Sequence, residues 1–203
     1  MDVIGKTLAA VFGITFMALL IVLVFSTKID QNAQTYLNNA AEEFVDNACA
    51  SGYISPGAYQ ELMNRVGATG NLYNVNIIHQ SKTIQPKVKT DSTGKSLVGS
   101  DGKAVVETGS YVQSYNTYNL FGTRDSSGAL IEKGILDYMF PETGTEYHSY
   151  PLKNGDYLQI SITLKNPTLG AQLASAVTAT PVKTIAITYG GYVGSIEENG
   201  IIY

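Results

Sequence analysis

The chain has 203 residues, a mass of 21.8 kDa and a formal net charge of −4, which leaves room for one ordinary domain or a small domain with an attached segment. Its 13 basic and 17 acidic residues form no cluster of either sign, so nucleic acid is not an expected partner. The single cysteine excludes an intrachain disulfide, a zinc knuckle and an iron–sulfur site, and we expect Cys49 to be a small buried residue of a helix.

The strongest signal is the apolar run LAAVFGITFMALLIVLVF, from Leu8 to Phe25, which contains no charge, Asn, Gln or Pro. As a helix it would be about 27 Å long, close to the hydrocarbon thickness of a bilayer. Three interpretations compete: a cleaved secretory signal, a permanent membrane span, or a helix that leaves the membrane to pack in a protein assembly. The run is longer than the apolar core of most signal peptides and lacks a convincing cleavage site, which favours the other two.

The helical pattern continues beyond the apolar run. Apolar residues recur at spacings of three and four from Ile29 to Ala48, and no Pro or Gly interrupts residues 14–51. We predict one continuous helix over residues 1–51 that ends at Gly52, with a membrane or filament-core segment (8–25) and an amphipathic segment (26–51). A membrane anchor followed by a separate stalk helix is the alternative.

The remainder, residues 52–203, is predicted to be a β-rich head domain. Ser55-Pro56 indicates the start of a short helix over 56–66 that Gly67 ends, and Leu72–His79 alternates like a half-buried strand. Residues 81–110 have a turn-like composition and are predicted to project, either as an open loop or with a hairpin of Lys95–Val98 and Ala104–Glu107. Further strands are predicted at Ser110–Tyr118, Leu130–Ile135, Tyr157–Leu164, Thr184–Tyr189 and Gly200–Tyr203, and 168–177 is either a short helix or an apolar loop.

The predicted fold class is therefore α+β. A long N-terminal helix, hydrophobic and then amphipathic, and a short helix precede an antiparallel sheet that packs against the amphipathic segment.

No pattern for chemistry is found. His79 and His148 do not have metal-ligand spacing, and each is interpreted as a surface or packing residue; nucleophile-elbow and phosphate-binding glycine motifs are missing. We expect no catalytic residue, cofactor or metal, and no enzyme activity. The 14 tyrosines stand out against 6 phenylalanines, and Tyr111, Tyr115 and Tyr118 crowd into one segment. They are either ordinary strand residues or a contact surface for other subunits or glycans.

The order of these segments resembles type IV pilins and pseudopilins, in which a long helix of this kind carries an antiparallel sheet. More narrowly, FVDNACASGYISPGAYQELMNRVGATGNLYNVNIIHQ (Phe44 to Gln80) is similar to the corresponding region of TadE-like pilins from tight-adherence systems of Gram-positive bacteria. The resemblance covers about the first 80 residues and none of the chain after Ser81.

The beginning of the chain departs from that family. Type IV pilins have Glu at the fifth position of the apolar helix, where it neutralises the terminal amine of a neighbouring subunit. Here Gly5 stands at position five, and no Glu occurs before Glu42. Asp2 either takes that role or pairs with Lys6 at i, i+4.

The resemblance implies a structural subunit of an extracellular type IV pilus-like filament. Its partners would be further copies of itself, the membrane before assembly, and a pilus assembly machinery. The residues expected to pack in the filament core are Leu8, Ala9, Phe12, Gly13, Phe16, Met17, Leu20 and Leu23. Two alternatives remain, a single-pass accessory pseudopilin that does not polymerise and a membrane-anchored binding module of the cell surface.

Overall fold

The computed structural model describes residues 2–100, 102–142, 146–179 and 185–194, and its class is α+β, as predicted. The helices are α1 (Asp2–Ser51), α2 (Pro56–Ala68), α3 (Ile135–Met139) and α4 (Leu169–Thr178). The strands are β1 (Tyr53–Ile54), β2 (Tyr73–Val88), β3 (Val106–Asn119), β4 (Thr123–Arg124), β5 (Leu130–Glu132), β6 (Tyr150–Pro151), β7 (Tyr157–Leu164) and β8 (Ala186–Tyr192).

α1 is a single uninterrupted helix of 50 residues, about 75 Å long, and not an anchor with a separate stalk. It ends where predicted. Gly52 adopts a left-handed φ of +75° and its N–H donates to Ala48 O at 3.0 Å, which satisfies one of the last carbonyls of the helix.

The strands form a four-stranded sheet of order β3-β2-β7-β8 and two small pairs, β1-β6 and β4-β5. The pairs β2–β3, β1–β6 and β4–β5 are antiparallel. The chain divides into two compact units. The first combines Met1–Asp46, Gly57–Asn76 and Ile160–Tyr189, and the second combines Asn47–Pro56, Ile77–Gln159 and Gly190–Tyr203.

The core of the first unit includes the amphipathic segment of α1 as far as Asp46. Its buried residues there are Leu37, Ala40, Ala41, Phe44 and Val45, at the spacing of three and four that the sequence predicts. Alternate residues of β7 are buried too, which confirms the predicted strand Tyr157–Leu164 and the orientation of its two faces.

α4 settles one open alternative, because residues 169–178 are helical. Thr168 is its N-cap: Oγ1 accepts from Ala171 N at 3.1 Å and donates to Asp30 Oδ2 of α1 at 2.6 Å. A Cβ built on Gly170 would lie 2.8 Å from Ser26 Cβ, so only glycine allows this approach. α4 is therefore fixed to α1 immediately after the predicted apolar run.

Several predicted boundaries are wrong. Gly67 does not end α2, which continues to Ala68; the left-handed φ of +74° at Gly70 ends it. The strand predicted at Leu130–Ile135 stops at Glu132, and Ile135 instead begins α3 and is fully buried. β8 extends beyond the predicted Tyr189 to Tyr192, while Thr184 and Gly200–Tyr203 lie outside the described residues.

Residues 81–110, for which a hairpin and an open loop were the two alternatives, are not an open loop. β2 continues through Val88, and β3 begins at Val106 and pairs with it, so that the two strands form a long ribbon. The hairpin predicted beyond it is partly correct, since Val98 bridges Ala104. Thr, Gly and Ser favour turns locally, but pairing with the opposite strand overrides that preference here, although the register shifts between the pairs Pro86–Tyr111 and Val88–Val106.

Candidate functional site: the exposed half of the long helix

The first half of α1 is apolar and exposed. Seven of the predicted packing residues (Leu8, Ala9, Phe12, Gly13, Phe16, Met17 and Leu20) are exposed, and Leu23 is half-buried. α1 is the one helix among the described residues that is long and apolar enough to cross a membrane. Successive residues of a helix are 100° apart, and exposure exceeds half at Phe12, Ile14 and Met17, so no single side of it is covered. A helix that is apolar on all sides requires an apolar environment on all sides.

The threonine hydroxyls of this segment are satisfied within the helix. The hydroxyls of Thr7, Thr15 and Thr27 donate to the carbonyls four residues earlier, at 2.8, 2.9 and 2.8 Å. Such bonds matter in lipid or in a dry bundle, where an unpaired donor costs several kcal/mol (about 2–7). The sequence pattern does not reveal them, because threonine counts only as an uncharged residue in a hydropathy argument.

Small residues give this helix a place for close approach. A Cβ built on Gly13 would have no atom within 4 Å, so a neighbouring helix can reach the backbone there. Lys6 is the single charged residue between residues 3 and 27, and its long stem can carry the ammonium towards a polar boundary. The predicted pair of Lys6 with Asp2 remains a prediction, because the Asp2 side chain lies outside the described residues.

The three predicted surface tyrosines do not share a face. The register of β2 and β3 places Tyr111 opposite Pro86, Tyr115 opposite Lys82 and Tyr118 opposite His79. Tyr111 and Tyr115 lie on one face and are exposed. Tyr118 lies on the other face and is half-buried, with its ring stacked on His79 at 5.5 Å between centroids.

A buried cluster around His79 was not anticipated in the sequence analysis. In the second unit, His79 Nε2 lies 2.8 Å from Asp156 Oδ2 and Nδ1 lies 2.9 Å from the Tyr150 hydroxyl. An ionised carboxylate only accepts hydrogen bonds, so Nε2–H donates to Asp156 and, in the neutral ring, Nδ1 accepts from Tyr150. Asp156 also accepts from Lys82 N at 3.0 Å and from Lys153 N at 2.8 Å.

The environment of this cluster changes two pKa values. Burial by itself would raise the pKa of Asp156, but the hydrogen bonds from Lys153 N–H, His79 and Lys82 N–H outweigh burial and lower it. Burial, and then the neighbouring Tyr118, Asp156 and Tyr138, raise the pKa of Tyr150. The carboxylate therefore stays ionised and the phenol stays neutral.

Position in the strand was the signal that could have identified this cluster. Val75, Ile77 and His79 share one face of β2, and Val75 and Ile77 are buried. A histidine on a buried face needs polar partners. With His79 3% and Asp156 1% exposed, the pair is buried, and we interpret it as a structural link between β2 and the start of β7.

Among the described residues, no three His, Cys, Asp or Glu side chains are grouped to hold a metal ion. No family model, curated protein or solved structure matches the chain.

Proposed function

We propose that this protein is a structural, pilin-like subunit of an extracellular type IV pilus-like filament that polymerises through the first half of α1. The observation that carries the proposal is the division of one uninterrupted helix. Its first half is apolar and exposed on all sides, and its second half belongs to the core of the first unit. A rigid helix of this kind holds its folded part at one end and leaves the apolar part for other molecules.

Energetics supports a bundle that forms after a membrane stage. Each large apolar side chain gains about 1.5–3 kcal/mol on leaving water, so the free helix is held first by the bilayer. Transfer from lipid to a bundle gains little from the hydrophobic effect, so close packing at small residues such as Gly13, and an assembly machinery, must supply the rest. Heterologous contacts that do not close then generate a helical polymer.

The location follows from this scheme. Before assembly the protein is a single-pass membrane protein, with its N-terminus inside because of the slight positive excess there. After assembly the sheet-bearing part of each copy covers the filament at the cell surface.

Filament formation can be tested by electron microscopy of material sheared from cells that produce the full chain, together with immunodetection in filament and membrane fractions. Gly13→Leu should leave the protein in the membrane and reduce filaments at least tenfold. Gly57→Leu is the matched control, because a Cβ there also meets no atom within 4 Å but lies in α2. If the unmodified chain is found only in the membrane fraction, the accessory pseudopilin replaces the filament subunit.

A further inference from the structure

The ribbon of β2 and β3 carries an interaction surface. We call residues 82–115 the arm. None of its described residues is buried, and the large side chains of Ile84, Val98 and Tyr111 are each more than 60% exposed. A two-stranded ribbon without a core of its own is marginally stable in water. Its order therefore benefits from a partner that covers it.

One face of the arm is suited to burial. Ile84 pairs with Gln113, between the pairs Lys82–Tyr115 and Pro86–Tyr111. Ile84, Pro86, Tyr111 and Tyr115 thus share one side of the ribbon, which we call the tyrosine face. Rigid aromatic rings beside aliphatic groups are typical of the centre of a protein interface.

The tip of the arm, from Lys89 to Val105, is held together by backbone hydrogen bonds. Lys89 N donates to Val105 O, Val105 N to Leu97 O and Leu97 N to Lys89 O, at 2.8–2.9 Å, which closes a ring of three backbone bonds. The three residues are eight positions apart, and each eight-residue segment between them makes a tight turn with glycine at left-handed φ, +83° at Gly94 and +75° at Gly102.

The repeat places Lys95 and Lys103 at equivalent positions, directly after these glycines, where both residues are exposed. Hydrogen bonds to the Asp91 carboxylate from the Thr93 hydroxyl, Lys95 N–H and Thr93 N–H fasten the first turn and lower the pKa of Asp91. The tip therefore presents its two lysines from a fixed backbone.

The distribution of charge along the chain indicates the partner of the arm. The arm has five lysines and three acidic residues, a net charge of +2, whereas the rest of the chain has 8 basic and 14 acidic residues, a net charge of −6. A surface of opposite sign is thus available on every other copy of this chain.

α1 offers a negative surface at Glu42 and Asp46, which lie about one helical turn apart and are both exposed. Arg65 engages the adjacent Glu43. In the described part of the chain, neither Glu42 nor Asp46 forms an ion pair with a basic side chain, and Asp46 accepts from the Tyr189 hydroxyl at 3.1 Å. The two carboxylates can therefore receive cations from another molecule.

We propose that the arm docks on a second copy of this chain, with its tip lysines against Glu42 and Asp46 of that copy and its tyrosine face covered by the contact. The proposal rests on the filament hypothesis for its supply of neighbouring copies. It concerns the contact between outer parts of the subunits, whereas the filament hypothesis concerns the apolar half of α1.

Zero-length carbodiimide cross-linking of two co-produced full-length chains tests the contact. One chain carries Glu42→Gln and Asp46→Asn, and the other, with a different tag, carries Lys89→Gln, Lys95→Gln and Lys103→Gln. A link from Lys89, Lys95 or Lys103 to Glu42 or Asp46 can then form only between copies. We expect such links by mass spectrometry in membranes or filaments, and at least tenfold fewer when both chains carry the lysine substitutions. If the mixed pair yields no links, the proposal is overturned.

Charge exchange provides an independent readout. Lys95→Glu should reduce the recovery of assembled protein at least fivefold, and Glu42→Lys in the same chain should restore it. The control is Lys165→Glu, an exposed lysine outside the arm, which should have no effect. An equal loss from Lys95→Glu and Lys165→Glu would contradict a specific contact. Cross-links without filaments would refute the filament hypothesis and support docking of the arm. Filaments without cross-links would support the filament hypothesis and refute docking of the arm.

Discussion

Asp156→Ala should strongly destabilise the fold, because the carboxylate accepts three hydrogen bonds in a buried place. The substitution would leave Lys82 N–H, Lys153 N–H and His79 Nε2–H without their acceptor. An unsatisfied buried donor costs about 1–3 kcal/mol, and the loss is larger where the hydrogen bond involves a charged group, as it does at the Asp156 carboxylate. Because the three losses overlap, we expect a decrease of about 3–5 kcal/mol in the free energy of unfolding. For a chain of this size, that lowers Tm by roughly 6–20 °C.

The assay is thermal and urea unfolding of the full-length protein in detergent micelles, followed by near-ultraviolet circular dichroism of tyrosine. Asp91→Ala is a matched control, because Asp91 also accepts three hydrogen bonds, from Thr93 N, Thr93 Oγ1 and Lys95 N, but is exposed. Water can replace the lost acceptor there, so we expect little change. Equal Tm values for Asp156→Ala and the unmodified chain would refute the idea that burial makes this acceptor essential.

Three further predictions concern pH and packing. The pKa of Asp156 is lowered in the folded state, so the ionised carboxylate adds in full to the free energy of unfolding above the ordinary carboxyl pKa of about 4 and loses this effect at lower pH. The difference in free energy of unfolding between the unmodified chain and Asp156→Asn should therefore narrow below about pH 4 in acid titrations. Gly134→Ala should destabilise by at least about 1–3 kcal/mol, since its Cβ would lie 2.7 Å from Leu120 O, whereas Gly57→Ala should be neutral or stabilising in the same melts. Gly170→Val should detach α4 from α1, and faster amide exchange confined to residues 169–178 would report this.

The elements that could be predicted from the sequence are those with an unbroken period. α1 has no interior residue that breaks a helix after Gly13. β7 alternates over eight residues, and the predicted bounds of this strand are correct. The arm could not be predicted in the same way. Its Thr, Gly, Ser and Lys residues have weak preferences of their own, and its strands exist because each supplies the hydrogen-bond partner of the other, 18 residues or more away at the pair Val88–Val106.

The candidate site divides along the same line. The apolar character of the first half of α1 is a local property of composition, so it could be predicted from the sequence alone. The cluster of His79, Asp156 and Tyr150 joins residues more than 70 positions apart, and no local pattern specifies such a pairing. A position on the buried side of β2 indicates that His79 needs a partner but does not identify Asp156 as that partner.

The net charge of −4 conceals a segregation of charge along the chain that would favour the proposed association. If charge were spread evenly, neighbouring copies of an acidic subunit would repel one another, and repulsion would grow as a polymer lengthened. Here the arm is positive and the remainder negative, so each copy presents both signs in different places. Opposite patches on a single chain are self-complementary in a head-to-tail arrangement, which is the arrangement that produces an open helical polymer. In the proposed filament, the apolar half of α1 has no such polarity and would supply cohesion without direction. On this basis the arm would determine how successive copies are oriented, and the helix would determine how firmly they are held.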